Sequence, residues 1–111
     1  MVYNEQIADR IRKALRNQPG IVERKMFGGL AFLLYGNMCC GVLGERVMIR
    51  TGPDFYETAL QKPHVTPMDF TGRIMRNFVV VGPDGLQSDE ELSEWIGYAI
   101  SFALSLPRKE R

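Results

Sequence analysis

An α+β two-layer sandwich is the architecture predicted for this chain of 111 residues. Apolar residues recur at helical spacing near the two ends and briefly in the middle. Between these regions, short apolar or alternating runs are separated by Gly-containing pairs, as in antiparallel hairpins. Helices that flank such hairpins pack mainly on one side of an antiparallel sheet. The predicted order is an N-terminal helix, a three-stranded meander, a short middle helix, one or two later strands and a long C-terminal helix.

The N-terminal helix is predicted from Ile7, Ile11 and Leu15, which lie on one side at helical spacing. Asn4 is the expected N-cap, and the Pro-Gly pair at 19–20 ends the helix. The opposite side is basic. Its four cations are Arg10, Arg12, Lys13 and Arg16.

Four runs of strand-forming residues follow, at 22–27, 30–35, 38–43 and 46–50. The Gly-Gly pair at 28–29 lets the chain kink or bulge between the first two runs. Gly36-Asn37 and Gly44-Glu45 are the predicted two-residue turns of the next two hairpins. This register pairs Leu33 with Cys40, and Cys40 with Ile49.

The register predicts which side chains share a face, because neighbouring residues of a strand point to opposite sides. The face that contains Leu33, Cys40 and Ile49 is uniformly apolar and is expected to lie under the helices. The other face would be free and would form the candidate interaction surface. Its members are Leu30, Phe32, Leu34, Arg46, Met48 and Arg50. A single-residue slip would reverse this assignment.

The second half of the chain is predicted to contain two helices and one strand region. Residues 53–60 form the short helix, residues 61–72 a loop that holds His64, and residues 73–75 and 77–81 one bulged strand region. Ser88 and Glu91 form a capping box before an apolar stripe that contains Trp95. Residues 107–111 are expected to be a frayed tail.

Composition restricts the class of protein. No apolar run reaches the roughly 18 residues of a membrane span, and the polar start does not resemble a signal peptide, so a cytoplasmic location is expected. The net charge of +1 is unevenly spread, with +4 over residues 1–50 and −5 over residues 51–106. Such a dipolar surface favours self-association or a charged partner over the basic surface of a dedicated nucleic-acid binder.

Several motifs carry a family resemblance. The run Arg24-Lys25-Met26-Phe27-Gly28-Gly29, the runs at 32–38 and 47–50, and the acidic start of the last helix with Trp95 and Ala99 resemble the TfoX (Sxy) N-terminal domain family. The resemblance covers about residues 21–106. It implies an α+β fold and kinship with a regulator of bacterial natural competence that acts with the cyclic-AMP receptor protein. That regulator has a further C-terminal domain, for which 111 residues leave no room. Residues 1–111 are therefore expected to be a single stand-alone domain.

The main hypothesis is a small, non-enzymatic interaction module that forms a homodimer or binds another protein, by resemblance one from the transcription machinery. The alternative is direct nucleic-acid binding by the basic first helix and the Arg46/Arg50 edge, with steep salt dependence. An enzyme that uses Cys39, Cys40 or His64 is the third hypothesis. No catalytic set or cofactor site is predicted, because the sequence contains no Gly-x-Ser-x-Gly, His-Glu-x-x-His or phosphate-binding loop motif. No metal site is predicted either, because one histidine and two adjacent cysteines are too few for the usual four zinc ligands.

Overall fold

A computed structural model describes residues 3–26, 28–70 and 72–109, with Phe70 described by its backbone alone. Within these residues the helices are Glu5–Leu15 (α1), Pro53–Leu60 (α2) and Asp89–Leu104 (α3). The strands are Ile21–Met26 (β1), Gly29–Leu34 (β2), Asn37–Leu43 (β3), Arg46–Arg50 (β4), Val65–Phe70 (β5) and Arg73–Val81 (β6). A single 3-10 turn over Pro83–Gly85 precedes α3.

All of these strands form one antiparallel sheet in the order β1-β2-β3-β4-β6-β5. Strands β1 to β4 are a meander, and β6 returns to pair with β4. The helices cover one side of this sheet, which confirms the α+β two-layer arrangement. The outer edges of the sheet are β1 and β5.

The predicted helix caps are confirmed. The Oδ1 atom of Asn4 accepts a hydrogen bond from the backbone N–H of Ile7 at 3.0 Å. At α3, the backbone N–H of Glu91 donates to Ser88 Oγ, and the backbone N–H of Ser88 donates to Glu91 Oε1, both at 3.0 Å. Each cap satisfies backbone N–H groups that have no partner inside the helix.

The hairpin between β2 and β3 differs from the predicted register. Its turn is Tyr35-Gly36, with φ angles of 50° and 84°, which suits a type I′ turn one residue earlier than expected. Cys39 is then an extra residue in β3, because Leu33 faces Met38 while Phe32 faces Cys40. This bulge shifts the pairing register of β2 on β3 by one residue, so residues of β2 beyond it share a face with different residues of β3 than predicted. The pairing of Cys40 with Ile49 across the Gly44-Glu45 turn is confirmed.

A second difference lies in the segment predicted as a loop over residues 61–72, which contains β5. β5 pairs with β6 from Val65 facing Val81 to Phe70 facing Arg73. The pairing is irregular after Pro67, where β6 has three extra residues between the partners of Pro67 and Met68. Prolines and polar residues made the segment resemble a loop, but pairing with the long strand β6 holds it extended.

The sheet separates two apolar clusters. The larger one joins the helices to the side chains of Phe32, Cys40, Val42, Ile49 and Val79. The smaller cluster contains Met48, Met68, Phe78 and Val80 with half-buried Met38, Leu43 and Met75 packed around them, and no described helix residue belongs to it. We call the side of the sheet that carries the smaller cluster the open face.

The two glycines of the Arg-Lys-Met-Phe-Gly-Gly motif have different roles. Gly28 has a φ of +73°, and nothing lies within 4 Å of where its Cβ would be. At Gly29 a Cβ would come within 2.2 Å of the carbonyl oxygen of Val42. Gly28 therefore supplies a left-handed backbone and Gly29 supplies space for close packing of β2 on β3. The motif residue Phe27 lies outside the described residues.

Candidate functional site

The open face is the candidate functional site, because it is apolar and no described helix residue belongs to its apolar cluster. One row of facing residues crosses it from edge to edge: Arg24 faces Ala31, which faces Gly41, then Met48 and Val80. Met48 is 1% exposed, and its methyl group lies near Gly41, where a side chain would displace it. The tip of the β5–β6 hairpin adds Met68 and Met75. Four of the six methionines therefore belong to this face.

Methionine side chains adapt to irregular partners, because the thioether is unbranched, flexible and polarisable. Half-buried Leu33, Met38, Leu43 and Met75 form the accessible part of the patch around its buried centre. The face can therefore present an apolar, deformable surface to another molecule.

The charge of the open face has one sign over the first four strands. Alternation directs Arg24, Arg46 and Arg50 to this side, and no Asp or Glu of β1, β2, β3 or β4 shares it. Arg46 and Arg24 are exposed. The result is an apolar centre with a cationic rim, which complements a partner that combines apolar and acidic residues.

Arg50 is held in place at the end of β4. Its guanidinium carbon lies 5.5 Å from the ring centre of Phe78 and 5.4 Å from that of Phe102, and Nη1 donates to the carbonyl oxygen of Met38 at 3.3 Å. Burial lowers the pKa of Arg50, although the group stays a cation at neutral pH. This arginine therefore joins α3 to the end of β4 and keeps one positive charge beside Met38.

The predicted interaction surface is corrected by these positions. Leu30, Phe32 and Leu34 belong to the core beneath the helices, and Phe32 and Leu34 are 0% exposed. Arg46, Met48 and Arg50 point to the opposite side of the sheet. The bulge at Cys39 is the cause, because it reverses β2 relative to β3 and β4. Only the β4 half of the predicted set lies on the open face.

Two of the four cations on the basic side of α1 are engaged by neighbouring groups. Arg10 donates to Asp89 Oδ1 and to the carbonyl oxygen of Ser88, both at 3.2 Å, which joins α1 to the start of α3. Arg12 donates to both carboxylate oxygens of Glu23, at 2.7 and 2.9 Å. Lys13 and Arg16 share with Arg10 the rim of a groove of about 260 Å³ between α1 and α3.

The structure does not bring the predicted nucleic-acid footprint together. α1 packs on the covered side of the sheet, whereas Arg46 and Arg50 belong to the open face. A single phosphate backbone would have to pass around the sheet edge to reach both groups. The two parts of that prediction therefore lie on different surfaces.

The cysteines and His64 occupy different environments. Cys39 and Cys40 are both free thiols, both 0% exposed and both part of the helix-covered core, because the bulge turns Cys39 to the same side as Cys40. His64 is exposed before β5, in a groove of about 170 Å³ with Lys62, Glu91 and Trp95 among its lining residues. A thiolate–imidazole pair is therefore not assembled between these residues.

We expect slow alkylation of both thiols by iodoacetamide, at a rate that follows unfolding of the domain. The hydrogen bond with Cys39, followed by burial, raises the pKa of Cys40 well above its ordinary value. The contribution of this thiol to stability is complete below its unfolded pKa and is lost as pH rises through the raised folded pKa. Mass spectrometry of the labelled protein at increasing urea concentration measures the rate. Fast labelling in the absence of urea would contradict this burial.

No helix among residues 3–26, 28–70 and 72–109 is long and apolar enough to cross a membrane. In the same part of the chain, His, Cys, Asp and Glu side chains form no group of three that could hold a metal ion.

The open face is only weakly marked in the amino-acid sequence. Met38, Met68 and Met75 were missed, because the last two lie in or beside a segment that resembled a loop. The available signal was the frequency of methionine, together with the alternation of Met38, Gly41 and Leu43 along β3.

Comparison with known proteins gives one result. The family model described as TfoX N-terminal domain matches residues 13–103, which is most of the chain. No curated protein and no solved structure matches the chain.

Proposed function

The chain belongs to the TfoX N-terminal domain family, and we propose that it is a non-enzymatic interaction module. In this proposal its open face binds an acidic amphipathic segment of another protein. The observation that carries the proposal is the patch of four methionines with arginines at its rim and no carboxylate on the same side of β1 to β4. An apolar centre with a charged rim is the usual anatomy of a protein interface. The family resemblance makes a component of the transcription machinery the first partner to test.

An amphipathic helix is the form of partner that this face suits best. Its apolar residues at positions i, i+3, i+4 and i+7 would contact half-buried Met38, Leu43 and Met75. Its carboxylates would lie against Arg24 and Arg46, which are exposed. Flexible methionines can repack around different apolar anchors, so affinity would depend more on the charge of the partner than on its exact sequence.

Methyl NMR can test this proposal directly, because the site is built from methionines. The protein labelled with ¹³C in its Met methyl groups is titrated with an amphipathic Leu/Glu helical peptide and, as a control, with its Leu/Lys counterpart. We expect the Leu/Glu peptide to shift the signals of Met38 and Met75 most strongly, since both are half-buried and belong to the patch. The Leu/Lys peptide should bind at least about tenfold more weakly, because it meets like charges at the rim.

Two variants distinguish binding at the open face from nonspecific binding elsewhere on the protein. Met38→Glu places a negative charge beside the patch and should weaken binding of the Leu/Glu peptide at least about tenfold. Leu104→Glu is the matched control, because Leu104 is 51% exposed on α3, in the helix layer, and should leave affinity unchanged. Equal binding of both peptides, or equal loss in both variants, would overturn the proposal. Shifts produced instead by a single-stranded oligonucleotide, and removed by salt, would favour nucleic-acid binding.

A further inference from the structure

Within residues 3–26, 28–70 and 72–109, strand β1 is an edge of the sheet that pairs on one side only, with β2. The N–H of Tyr35 donates to the carbonyl oxygen of Gly20 at 2.9 Å, which sets the alternation of hydrogen bonds between β1 and β2. Residues 22, 24 and 26 therefore bond to β2. The backbone groups of Ile21, Glu23 and Lys25 point away from the sheet, toward the place where another strand would lie.

The two edges of the sheet are protected differently. β5 contains Pro67, which has no N–H to donate, and its pairing is irregular at that point. Proline and irregular pairing are common ways to prevent another strand from joining a sheet. β1 has neither feature, because its six residues pair with β2 without interruption. The edge at β1 is protected by charge alone, at Glu23, Arg24 and Lys25, so of the two described edges it is the one that can accept an added strand of complementary charge.

The charge beside β1 is unbalanced. Arg12 lies among three carboxylates, with Asp9 at 2.6 Å, Glu23 at 2.7 Å and Glu5 at 3.6 Å, and Arg16 lines the same groove. Hydrogen bonds with Glu23 and Asp9 raise the pKa of Arg12, so this guanidinium keeps its charge. Arg12 and the three carboxylates together carry one positive and three negative charges. A groove of about 400 Å³ between α1 and β1 leaves Arg12 and Glu23 accessible from the edge.

Lys25 supplies the opposite charge on the same side of β1. Glu23 faces Phe32 and Lys25 faces Leu30, so both side chains point to the helix side of the sheet. Lys25 is exposed and makes no ion pair with any residue of the described ranges. One strand thus carries an acidic and a basic side chain two residues apart, both next to its unpaired backbone groups.

We propose that β1 pairs with β1 of a second copy of this chain, antiparallel and with Glu23 facing Lys25 of that copy. In this register Val22 faces Met26 at both ends, the Glu23–Lys25 pair occurs twice, and Arg24 faces its own symmetry mate. Val22 is 48% exposed and Met26 half-buried in the single chain, so each gains an apolar neighbour. Each Lys25 also adds a positive charge to the acid-rich cluster around Arg12 of the other copy.

Charge selects this register over its neighbours. A shift of two residues in one direction places Glu23 against Glu23, and a shift in the other direction places Lys25 against Lys25. Like charges directly opposite on paired strands are destabilising. A shift of one residue would not match the outward N–H and C=O groups of the two strands. The unfavourable contact in the proposed register is Arg24 against Arg24, which lies on the open face and is exposed to solvent.

Pairing at β1 would join two open faces into one continuous surface. The two Arg24 side chains would stand at its centre, between two methionine patches, and reinforce its positive charge. A partner with two acidic segments would then bind with increased effective concentration. This consequence rests on the proposed function, whereas the pairing itself does not.

Sedimentation equilibrium on charge variants tests the pairing. We expect the wild type to dimerise, and Glu23→Lys and Lys25→Glu each to weaken dimerisation at least about tenfold, since each converts two attractive pairs to repulsive ones. An equimolar mixture of these two variants should dimerise again, because every pair in the heterodimer is attractive. Arg24→Thr should tighten the dimer, and Lys13→Glu on α1 is the matched control with no effect. Thermal unfolding of Glu23→Lys shows whether loss of its bond to Arg12 disturbs the fold.

A monomeric wild type, or a mixture that stays monomeric, would overturn the proposed pairing. A dimer that is insensitive to both charge reversals would place the interface elsewhere and would overturn it equally. The peptide titration uses different residues, so its result is independent. A monomer that binds the Leu/Glu peptide would leave the open face supported and remove only the pairing.

Discussion

Replacing Phe32 by glutamate is expected to unfold the domain. Phe32 is 0% exposed and belongs to the main core under the helices. Removal of a buried Phe side chain costs about 3–5 kcal/mol, and an unpaired buried carboxyl group adds a further desolvation cost. The sum is comparable to the whole stability of a typical domain, about 5–15 kcal/mol. Circular dichroism with urea titration measures the loss of structure.

The matched control is Ile74→Glu, because Ile74 is also a large apolar residue but is 59% exposed. Its free energy of unfolding should stay within about 0.5 kcal/mol of wild type. A folded Phe32→Glu variant with reduced self-association would contradict the position of Phe32 and restore the face predicted from the unbulged register. This single comparison therefore decides between the two registers of β2 on β3.

Alanine at Gly29 is expected to destabilise the protein much more than alanine at Gly28. A Cβ at Gly29 would approach the carbonyl oxygen of Val42 to 2.2 Å, so β2 and β3 would have to separate at that point. Such overpacking against the backbone should cost about 3 kcal/mol or more. Alanine at Gly28 has free space and meets only the strain of its positive φ, about 1–2 kcal/mol.

Urea unfolding of the two single variants measures this difference, and each serves as the control for the other. Equal destabilisation would mean that the glycine pair acts only through backbone conformation. A larger effect at Gly28 would contradict the close approach of β2 and β3. The expected order gives the Gly-Gly pair of the family motif a structural role, with no need for a ligand.

Features formed by residues close in sequence were predictable. The caps at Asn4 and at Ser88 with Glu91 were found from spacing, because each hydrogen bond joins residues three positions apart. The turn at Gly44-Glu45 and the pairing of Cys40 with Ile49 followed in the same way. Helix positions were predicted well for the same reason, since the apolar stripe of α3 is a local pattern.

Strand β5 was not predictable from its own residues. Val65–Phe70 contains a proline and an aspartate, which usually disfavour strands. The segment is extended because β6 is long enough to pair with both β4 and β5. Strand propensity reflects only near neighbours in the sequence and does not include pairing with β6. An edge strand therefore forms where the local sequence pattern predicted a loop.

The assignment of side chains to the candidate site depended on one residue of β3. Cys39 is inserted opposite the step from Phe32 to Leu33, and this decides which side of β2 faces the helices. Nothing in the residue types of β3 marks the bulge, since Met38, Cys39 and Cys40 are all compatible with either side. The predicted surface was therefore correct for Arg46, Met48 and Arg50 and wrong for Leu30, Phe32 and Leu34.

The chain's residues alone established the α+β architecture, the helix caps, the Gly44-Glu45 turn and the family, because these follow from periodicity, from hydrogen bonds between near neighbours and from a local motif. The fold as a whole determined which face of the sheet is covered and which remains open. That choice depends on the pairing register of distant segments, and the register is set by the total packing of the core rather than by any local preference. The methionine patch and its arginine rim are consequences of that register, whereas the edge position of β1 follows from the order of the strands.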